Sequence, residues 1–278
     1  MNVKVIEGVL FLSLFFTSVL AAQESDAALE TESKTKADEA LSLTADEVIS
    51  DYIEAIGGEM VLWGLESMTW KADLDGLGNR ENGKVTLTYS EGGWLYDFEM
   101  DDGRHAYLKD KNGKVWHQPP NWSEMSVNDK SKLEEIVPVP NAPLRWLEYP
   151  GEIEFKGVEQ VGERPCAHVE FRPTKGNPVN RFFDMETKLL VKMTYISGTQ
   201  PADWILSDYK NIDGCLIPMK RERHSAGSHS YVVLTKEVIL NEEVDVSLFD
   251  SEGFENQIDD ENPFAEDPFD DDDPFGDG

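Results

Sequence analysis

The residue types that most often do chemistry are few in this chain and widely separated. The five histidines are scattered, and none stands in a His-Glu-x-x-His or similar spacing that would hold a metal ion. Neither a Gly-x-Ser-x-Gly nucleophile motif nor a phosphate-cradling glycine loop is present. Acidic side chains are so abundant that pairing any two as acid and base carries no information. We therefore expect a protein that is not an enzyme, with no catalytic residue, no metal site and no cofactor.

Two cysteines, Cys166 and Cys215, are the only other candidates for chemistry. Both fall in segments with strand patterning, and a pair of cysteines in an exported protein favours a disulfide. Such a bridge would close a loop of about 50 residues and stabilise the fold by about 4 kcal/mol in the chain-entropy description. We expect the Cys166–Cys215 disulfide, and two free buried thiols are the alternative.

Residues 1–22 have the pattern of a cleavable signal peptide. Lys4 supplies a positive charge, an apolar run extends from Val9 to Leu20, and Ala21 and Ala22 are small residues suited to cleavage. The run is shorter than the roughly 20 residues of a spanning helix, and no cysteine stands at the cleavage site to carry a lipid. The sequence predicts a periplasmic or secreted protein. An uncleaved membrane anchor is the alternative.

The formal net charge of −30 is concentrated in the two flanks of the chain. Asp250 to Gly278 holds thirteen acidic residues and no Lys or Arg. Residues 23–43 are also acidic and poor in apolar side chains, and both compositions are typical of disorder. We expect a disordered linker at 23–43 and a disordered tail at 251–278 that folding does not need. Nucleic acid is excluded as a partner, because phosphate binding requires basic patches.

One amphipathic helix is predicted between Thr44 and Gly58. Thr44 and Glu47 have the spacing of a capping box, and Gly57-Gly58 would end the helix. A single helix with one apolar stripe cannot form a core alone, so it must pack on the strands that follow. The stripe consists of Val48, Ile49, Tyr52, Ile53 and Ile56.

Most of the remaining chain alternates between apolar and polar residues with a period of two, which is typical of strands. The clearest pair, 85–89 and 94–100, is predicted to be a hairpin joined across Ser90 to Gly93. Turn signals such as Lys111-Asn112-Gly113 separate the other runs. We expect a mainly β (α+β) domain over residues 44–250. It would contain about nine to eleven antiparallel strands in a curved sheet or incomplete barrel, with an N-terminal helix and short lid helices.

A curved sheet leaves one face exposed unless something covers it. The proline-bounded segment containing Leu144, Trp146 and Leu147 is predicted to be a short helix that covers this face as a lid, and ordinary core is the alternative. Beneath it, the side chains of the first hairpin would line an apolar hollow, where simple core packing is again the alternative. The candidate lining residues are Leu87, Trp94, Tyr96, Phe98 and Met100.

Several stretches together resemble the bacterial outer-membrane lipoprotein-sorting proteins, the LolA-like family. They are the segment 45–58 with Leu65-Glu-Ser-Met68, the hairpin Phe183-Asp-Met-Glu-Thr-Lys-Leu189, and the closing segment 208–218. The resemblance covers most of Thr44 to Asp250 and suggests a divergent member, since the family's carriers are shorter and lack an acidic tail. It implies an eleven-stranded half-barrel covered by helices, whose apolar hollow receives lipid or the acyl chains of a lipoprotein.

The resemblance and the residues together predict an exported, monomeric protein that binds lipid or a lipoprotein acyl chain. Binding would be reversible burial, worth about 0.8 kcal/mol per methylene. A non-catalytic interaction or sensor module on the same fold, with an envelope protein as partner, is the alternative. An uncharacterised hydrolase is the third.

Overall fold

A computed structural model describes residues 43–76, 82–100, 103–118, 122–126, 139–174, 176–197, 200–225 and 228–252. The predicted signal peptide, nearly all of the acidic linker and nearly all of the acidic tail lie outside these residues. No helix within the described ranges is long and apolar enough to cross a membrane.

Two short helices precede the sheet. Helix α1 (Ala45–Ala55) begins at the predicted capping box: Glu47 N–H donates to Thr44 Oγ1 over 3.2 Å, and Thr44 N–H donates to the Glu47 carboxylate over 2.8 Å. These bonds lower the pKa of Glu47. Gly57 ends α1 at a φ of +137°, where an added Cβ would lie 2.7 Å from the Gly214 carbonyl oxygen. A second helix that the sequence did not predict, α2 (Gly58–Trp63), follows directly.

Thirteen antiparallel strands form one sheet. Their bounds are β1 Ser67–Gly76, β2 Gly83–Ser90, β3 Gly93–Met100, β4 Gly103–Lys109, β5 Val115–Gln118, β6 Ser123–Glu124, β7 Glu152–Val161, β8 Arg164–Arg172, β9 Val179–Asp184, β10 Leu190–Ser197, β11 Gln200–Ile212, β12 Cys215–Ser225 and β13 Ser228–Leu240.

The strand order is β6-β5-β4-β3-β2-β1-β13-β12-β11-β10-β9-β8-β7. The first six strands run from the centre to one edge. The chain then crosses to the other edge through a first 3₁₀ helix (Ala142–Glu148), and β13 finally pairs with β1. The expected curved, unclosed sheet is confirmed. It has more strands than the nine to eleven expected, because β5 and β6 contain only four and two residues and are too short to show a period.

Strand register defines two faces of this sheet. In one unbroken row of partners, Gly76 pairs with Tyr231, Tyr231 with Arg223, and the row continues through β11 and β10 to Arg181. On β1 and its neighbours, Trp70, Leu87 and Tyr96 are likewise partners on this same side. We call the side carrying these residues the covered face, because α1 and the first 3₁₀ helix pack on it, and the opposite side the outer face.

The chain end packs back on the sheet through a second 3₁₀ helix (Val246–Phe249). Phe249 is buried against Gly93, where an added Cβ would lie only 3.2 Å from the Phe249 Cβ. One residue beyond the predicted domain end, the Ser251 hydroxyl donates to Asp110 over 2.6 Å, and Trp116 Nε1 donates to the same carboxylate over 3.1 Å. Burial alone would raise the pKa of Asp110, but these hydrogen bonds outweigh it and lower that pKa.

The expected disulfide is wrong in this structure. Cys166 and Cys215 are both buried free thiols, and burial raises the pKa of each. Cys166 lies on β8 among the outer-face side chains of Phe182 and Val191, whereas Cys215 lies on β12, four strand positions away. At about 4.8 Å per strand the separation is roughly 19 Å, far beyond the reach of a disulfide. Strand patterning placed each cysteine on a strand but did not specify which strands are neighbours.

Candidate functional site

The five predicted lining residues all lie on the covered face. Leu87 pairs with Tyr96 across the predicted β2–β3 hairpin, which is confirmed. Leu87 is 0% exposed and Phe98 is 1% exposed. Trp94 is also buried, and Met100, at the end of β3, is half-buried. The hairpin register therefore brings these side chains together, and their role in binding remains a prediction.

Aromatic rings form a continuous chain along the covered face from β1 to β5. Ring centroids lie 6.3 Å apart for Trp70 and Tyr96, 4.5 Å for Tyr96 and Phe98, and 5.9 Å for Phe98 and Tyr107. The chain ends at His117, 5.0 Å from Tyr107. Burial, with a smaller effect from the nearby His105, lowers the pKa of His117 to about 4. At neutral pH this part of the face therefore carries an uncharged aromatic surface.

The cover over the other half of the face is held by aromatic contacts. Trp146 of the first 3₁₀ helix stacks on Tyr52 of α1 with centroids 5.8 Å apart and planes 15° apart, and meets Phe171 of β8 edge-on at 5.3 Å. Leu144 is buried at 4% exposure. Two of the predicted lid residues thus contribute to the cover, while the side chain of Leu147 lies outside the described residues. Whether the cover opens remains a prediction.

Three arginines on the covered face were not found from the sequence. They are Arg181 on β9 and Arg221 and Arg223 on β12; Arg181 is 1% and Arg223 is 0% exposed. The available signal was positional, because Arg181 alternates with Val179 and Phe183, both buried. Arginine is rarely buried in proteins, so alternation with buried residues is not enough to predict that Arg181 is buried.

Arg181 and Arg223 are each held against aromatic rings. The Arg181 guanidinium carbon lies 4.0 Å from the Phe171 ring centre and 4.4 Å from that of Trp146, so it joins β9 to the cover. The Arg223 guanidinium carbon lies 5.7 Å from the Tyr231 ring centre, and its Nε donates to the Tyr195 hydroxyl over 3.3 Å.

Arg221 occupies the junction between the aromatic chain and the cover. Its guanidinium carbon lies 5.3 Å from the centre of the Trp70 ring, and its charge interacts with the tyrosine hydroxyls of Tyr96, Tyr209 and Tyr52. Burial lowers the pKa of Arg221 and raises the pKa of Tyr52 and Tyr96 to about 12, so these two hydroxyls stay neutral. Within the described part of the chain, Arg221 Nε is buried without a hydrogen-bond partner.

The covered face carries positive charge in a strongly acidic protein. Register places the acidic residues of the regular strands on the outer face, where Asp97 pairs with Arg104 at 2.6 Å and Asp203 with Lys192 at 2.9 Å. Asp208, at a kink in β11 with φ +56°, is exposed. The described strands therefore bring no carboxylate to the covered face beside its arginines.

The described residues contain no group of three or more His, Cys, Asp or Glu side chains placed to hold a metal ion. What the covered face offers is apolar contact along the aromatic chain and cationic groups at one end of it.

Comparison with known proteins identifies the fold. No family model and no curated protein matches the chain. A LolA superfamily protein from Nitrosomonas europaea superposes with a TM-score of 0.54 at 10% identity, covering 76% of this chain and 99% of that one. A DUF1329 family protein from Desulfovibrio piger gives 0.51 at 11% identity, covering 76% and 98%. The chain therefore adopts the LolA-like fold, as the sequence resemblance predicted.

Proposed function

We propose that this protein is exported to the cell envelope and binds the acyl chain of a lipid or lipoprotein on its covered face. The observation that supports this is the aromatic chain from Trp70 to His117, which lies on a sheet whose two edges, β6 and β7, are not joined. Among the described residues, α1 and the first 3₁₀ helix cover the part of this face next to the aromatic chain. A cover held by side-chain contacts can be displaced at far lower cost than a hydrogen-bonded strand.

The energies are compatible with reversible binding. Burying a dozen methylene groups yields about 10 kcal/mol before the costs of association are subtracted. Each aromatic contact of Trp146 in the cover contributes about 0.5–1.5 kcal/mol beyond area burial. The burial energy of the acyl chain thus exceeds the energy of the Trp146 contacts that a displaced cover would lose.

Export is the second part of the proposal. The LolA-like fold fits an envelope protein, and the predicted signal peptide would supply the route. N-terminal sequencing of the mature protein should find a chain that begins after Ala21 or Ala22. A chain that begins at Met1 would contradict cleavage.

Acyl binding is tested with two substitutions in adjacent residues of β2. Leu87 points to the covered face with 0% exposure, and Thr88 points to the outer face and is half-buried. Wild type and Thr88→Asp should bind a fluorescent fatty-acyl probe saturably, whereas Leu87→Asp should lose the probe, because a carboxylate in an apolar site is costly. Circular dichroism separates this loss from unfolding. A folded wild type that never binds the probe would refute the proposal.

A second candidate is the interaction module, favoured by an exposed apolar surface on α2. Met60 is 87% and Trp63 is 70% exposed, and such residues on a short helix suit a protein partner. If the protein is an interaction module, the wild type should bind no acyl probe and should form a specific cross-link to an envelope protein. The double substitution Met60→Ser/Trp63→Ser should abolish this cross-link. Retention of that cross-link would contradict it. The described residues provide no observation that favours the hydrolase alternative.

A further inference from the structure

We propose that Arg221 binds the oxyanion head group of an acyl lipid, a carboxylate or a phosphate, while the acyl chain extends along the aromatic chain of the covered face. This inference rests on the proposed acyl-binding function and specifies the chemistry of its ligand.

The first observation is the environment of Arg221. Its guanidinium lies over the Trp70 ring of β1, and its charge interacts with the hydroxyls of Tyr96 from β3, Tyr209 from β11 and Tyr52 from α1. Its Nε is enclosed and has no hydrogen-bond partner in the described part of the chain, although the residue as a whole is only half-buried. A guanidinium has five N–H donors and no acceptor, so a ligand oxygen is the group that this position lacks.

The second observation concerns the hydroxyls of Tyr52 and Tyr209, on which the charge of Arg221 acts. This charge lowers the pKa of both hydroxyls, with a smaller effect than burial. The Tyr209 hydroxyl donates to the Leu190 carbonyl over 2.7 Å, which leaves its oxygen to accept from Tyr52. Both hydroxyls are neutral, because burial raises the pKa of each. Each hydroxyl has a single proton that is already donated, so neither can donate to an oxyanion and the donors that remain for it are those of Arg221.

The third observation is the charge distribution. A buried cation is expensive unless an anion accompanies it, and the register brings no strand carboxylate to this face within the described residues. The chain has a net charge of −30, which would repel a free anion. An anion that arrives attached to an acyl chain gains the burial energy needed to enter. The arginine fork then matches a carboxylate or phosphate with two parallel hydrogen bonds.

Geometry gives the orientation of the ligand. Trp70, whose ring Arg221 overlies, is the first ring of the aromatic chain that runs to His117 on β5. Four strand spacings of about 4.8 Å make this path roughly 19 Å long. One leaflet of a bilayer is about 15 Å of hydrocarbon, so a lipid acyl chain fits the path with its head at Arg221.

The test compares ligands that differ only in the head group. Dodecanoate, dodecyl phosphate and methyl dodecanoate are titrated against a bound fluorescent acyl probe on the whole mature chain, with inorganic phosphate as a fourth competitor. The wild type should bind both charged lipids about tenfold or more tighter than the neutral ester, as expected for a charge-assisted hydrogen bond. Arg221→Met should bring this ratio close to one and keep the affinity for the ester. Arg104→Met, which removes an exposed arginine of the outer face, should leave the ratio unchanged.

The outcomes separate this inference from the proposed function. Equal affinity of the wild type for charged and neutral lipids overturns the head-group site and leaves acyl binding intact, whereas failure of all three lipids overturns the function itself. Displacement by inorganic phosphate at the concentrations where dodecyl phosphate acts would show a site for a free anion and would also overturn the inference. If Arg221→Met does not fold, a measurement on the wild type alone tests the head-group site. The NMR titration of carboxyl-¹³C dodecanoate should show a bound carboxyl pKa well below its value in water, and an unlowered pKa refutes the site.

Discussion

Replacing Arg221 by methionine should stabilise the ligand-free domain. Methionine approximates the length and flexibility of the arginine stem and removes a half-buried charged group whose buried Nε has no partner among the described residues. Exchanging buried charged groups for well-packed apolar ones is typically neutral or stabilising by about 1–4 kcal/mol. Against this stands the contact with the Trp70 ring at 5.3 Å, worth about 0.5–1 kcal/mol. The net expectation is a gain of about 1–2 kcal/mol, or roughly 2–8 °C in Tm for a domain of this size.

The assay is urea unfolding of delipidated protein at pH 7, followed by circular dichroism, with Arg104→Met as the matched control. Arg104 is exposed and bonded to Asp97, so its replacement should change the unfolding free energy by less than about 1 kcal/mol. A loss of more than about 1 kcal/mol in Arg221→Met, beyond that of the control, would show that Arg221 is fully satisfied by the fold itself, and the reasoning from an unpaired cation would fail.

Three further predictions follow from other contacts. Trp146→Ala removes the stack on Tyr52 and the edge contact with Phe171, so it should destabilise the domain by about 2 kcal/mol. It should also accelerate entry of the acyl probe, measured by stopped-flow fluorescence. An unchanged entry rate would mean that this segment is core and not a lid. His117 has a pKa of about 4 in the folded chain against about 6.5 when unfolded. As the pH falls, the unfolded state therefore takes up the proton first, and the free energy of unfolding should drop by at most about 3 kcal/mol between pH 6.5 and 4. Urea midpoints measured across this range should show that drop, and His117→Gln should weaken it. An equal drop in wild type and His117→Gln would contradict the role of His117. A chain that ends after residue 252 should keep its Tm within a few degrees. One that ends after residue 250 lacks the Ser251–Asp110 hydrogen bond, and its free energy of unfolding should fall by about 1–2 kcal/mol. Equal Tm values for the two chains would show that this bond contributes nothing.

Local signals in the sequence predicted the parts of the fold that depend on local physics. The capping box of Thr44 and Glu47 forms as its spacing requires, and the alternation of 85–89 and 94–100 gives the β2–β3 hairpin. Because side-chain period in a strand is two, that hairpin register also placed the five lining residues together. The short strands β5 and β6 and the six-residue α2 contain too few residues to show any period, so they could not be predicted.

Long-range placement could not be read from local patterns. Cys166 and Cys215 both lie on strands, yet their distance depends on the strand order, which is set by packing of the whole sheet. Arg181 and Arg221 stand at positions where alternation predicts burial, but the rings and hydroxyls that surround them come from strands and helices distant in the sequence. The candidate site was therefore half predictable: its aromatic part follows from one hairpin, and its cationic part requires the folded sheet.

Native mass spectrometry of the protein isolated from its own envelope tests the central claim most directly. Acyl binding on the covered face predicts a mass above that of the mature polypeptide, with the excess released as an acyl lipid on denaturation. Thr88→Asp should retain this excess, and Leu87→Asp should lose it while still folded. A wild-type protein that is isolated without detergent and carries only the mass of its polypeptide would contradict the claim.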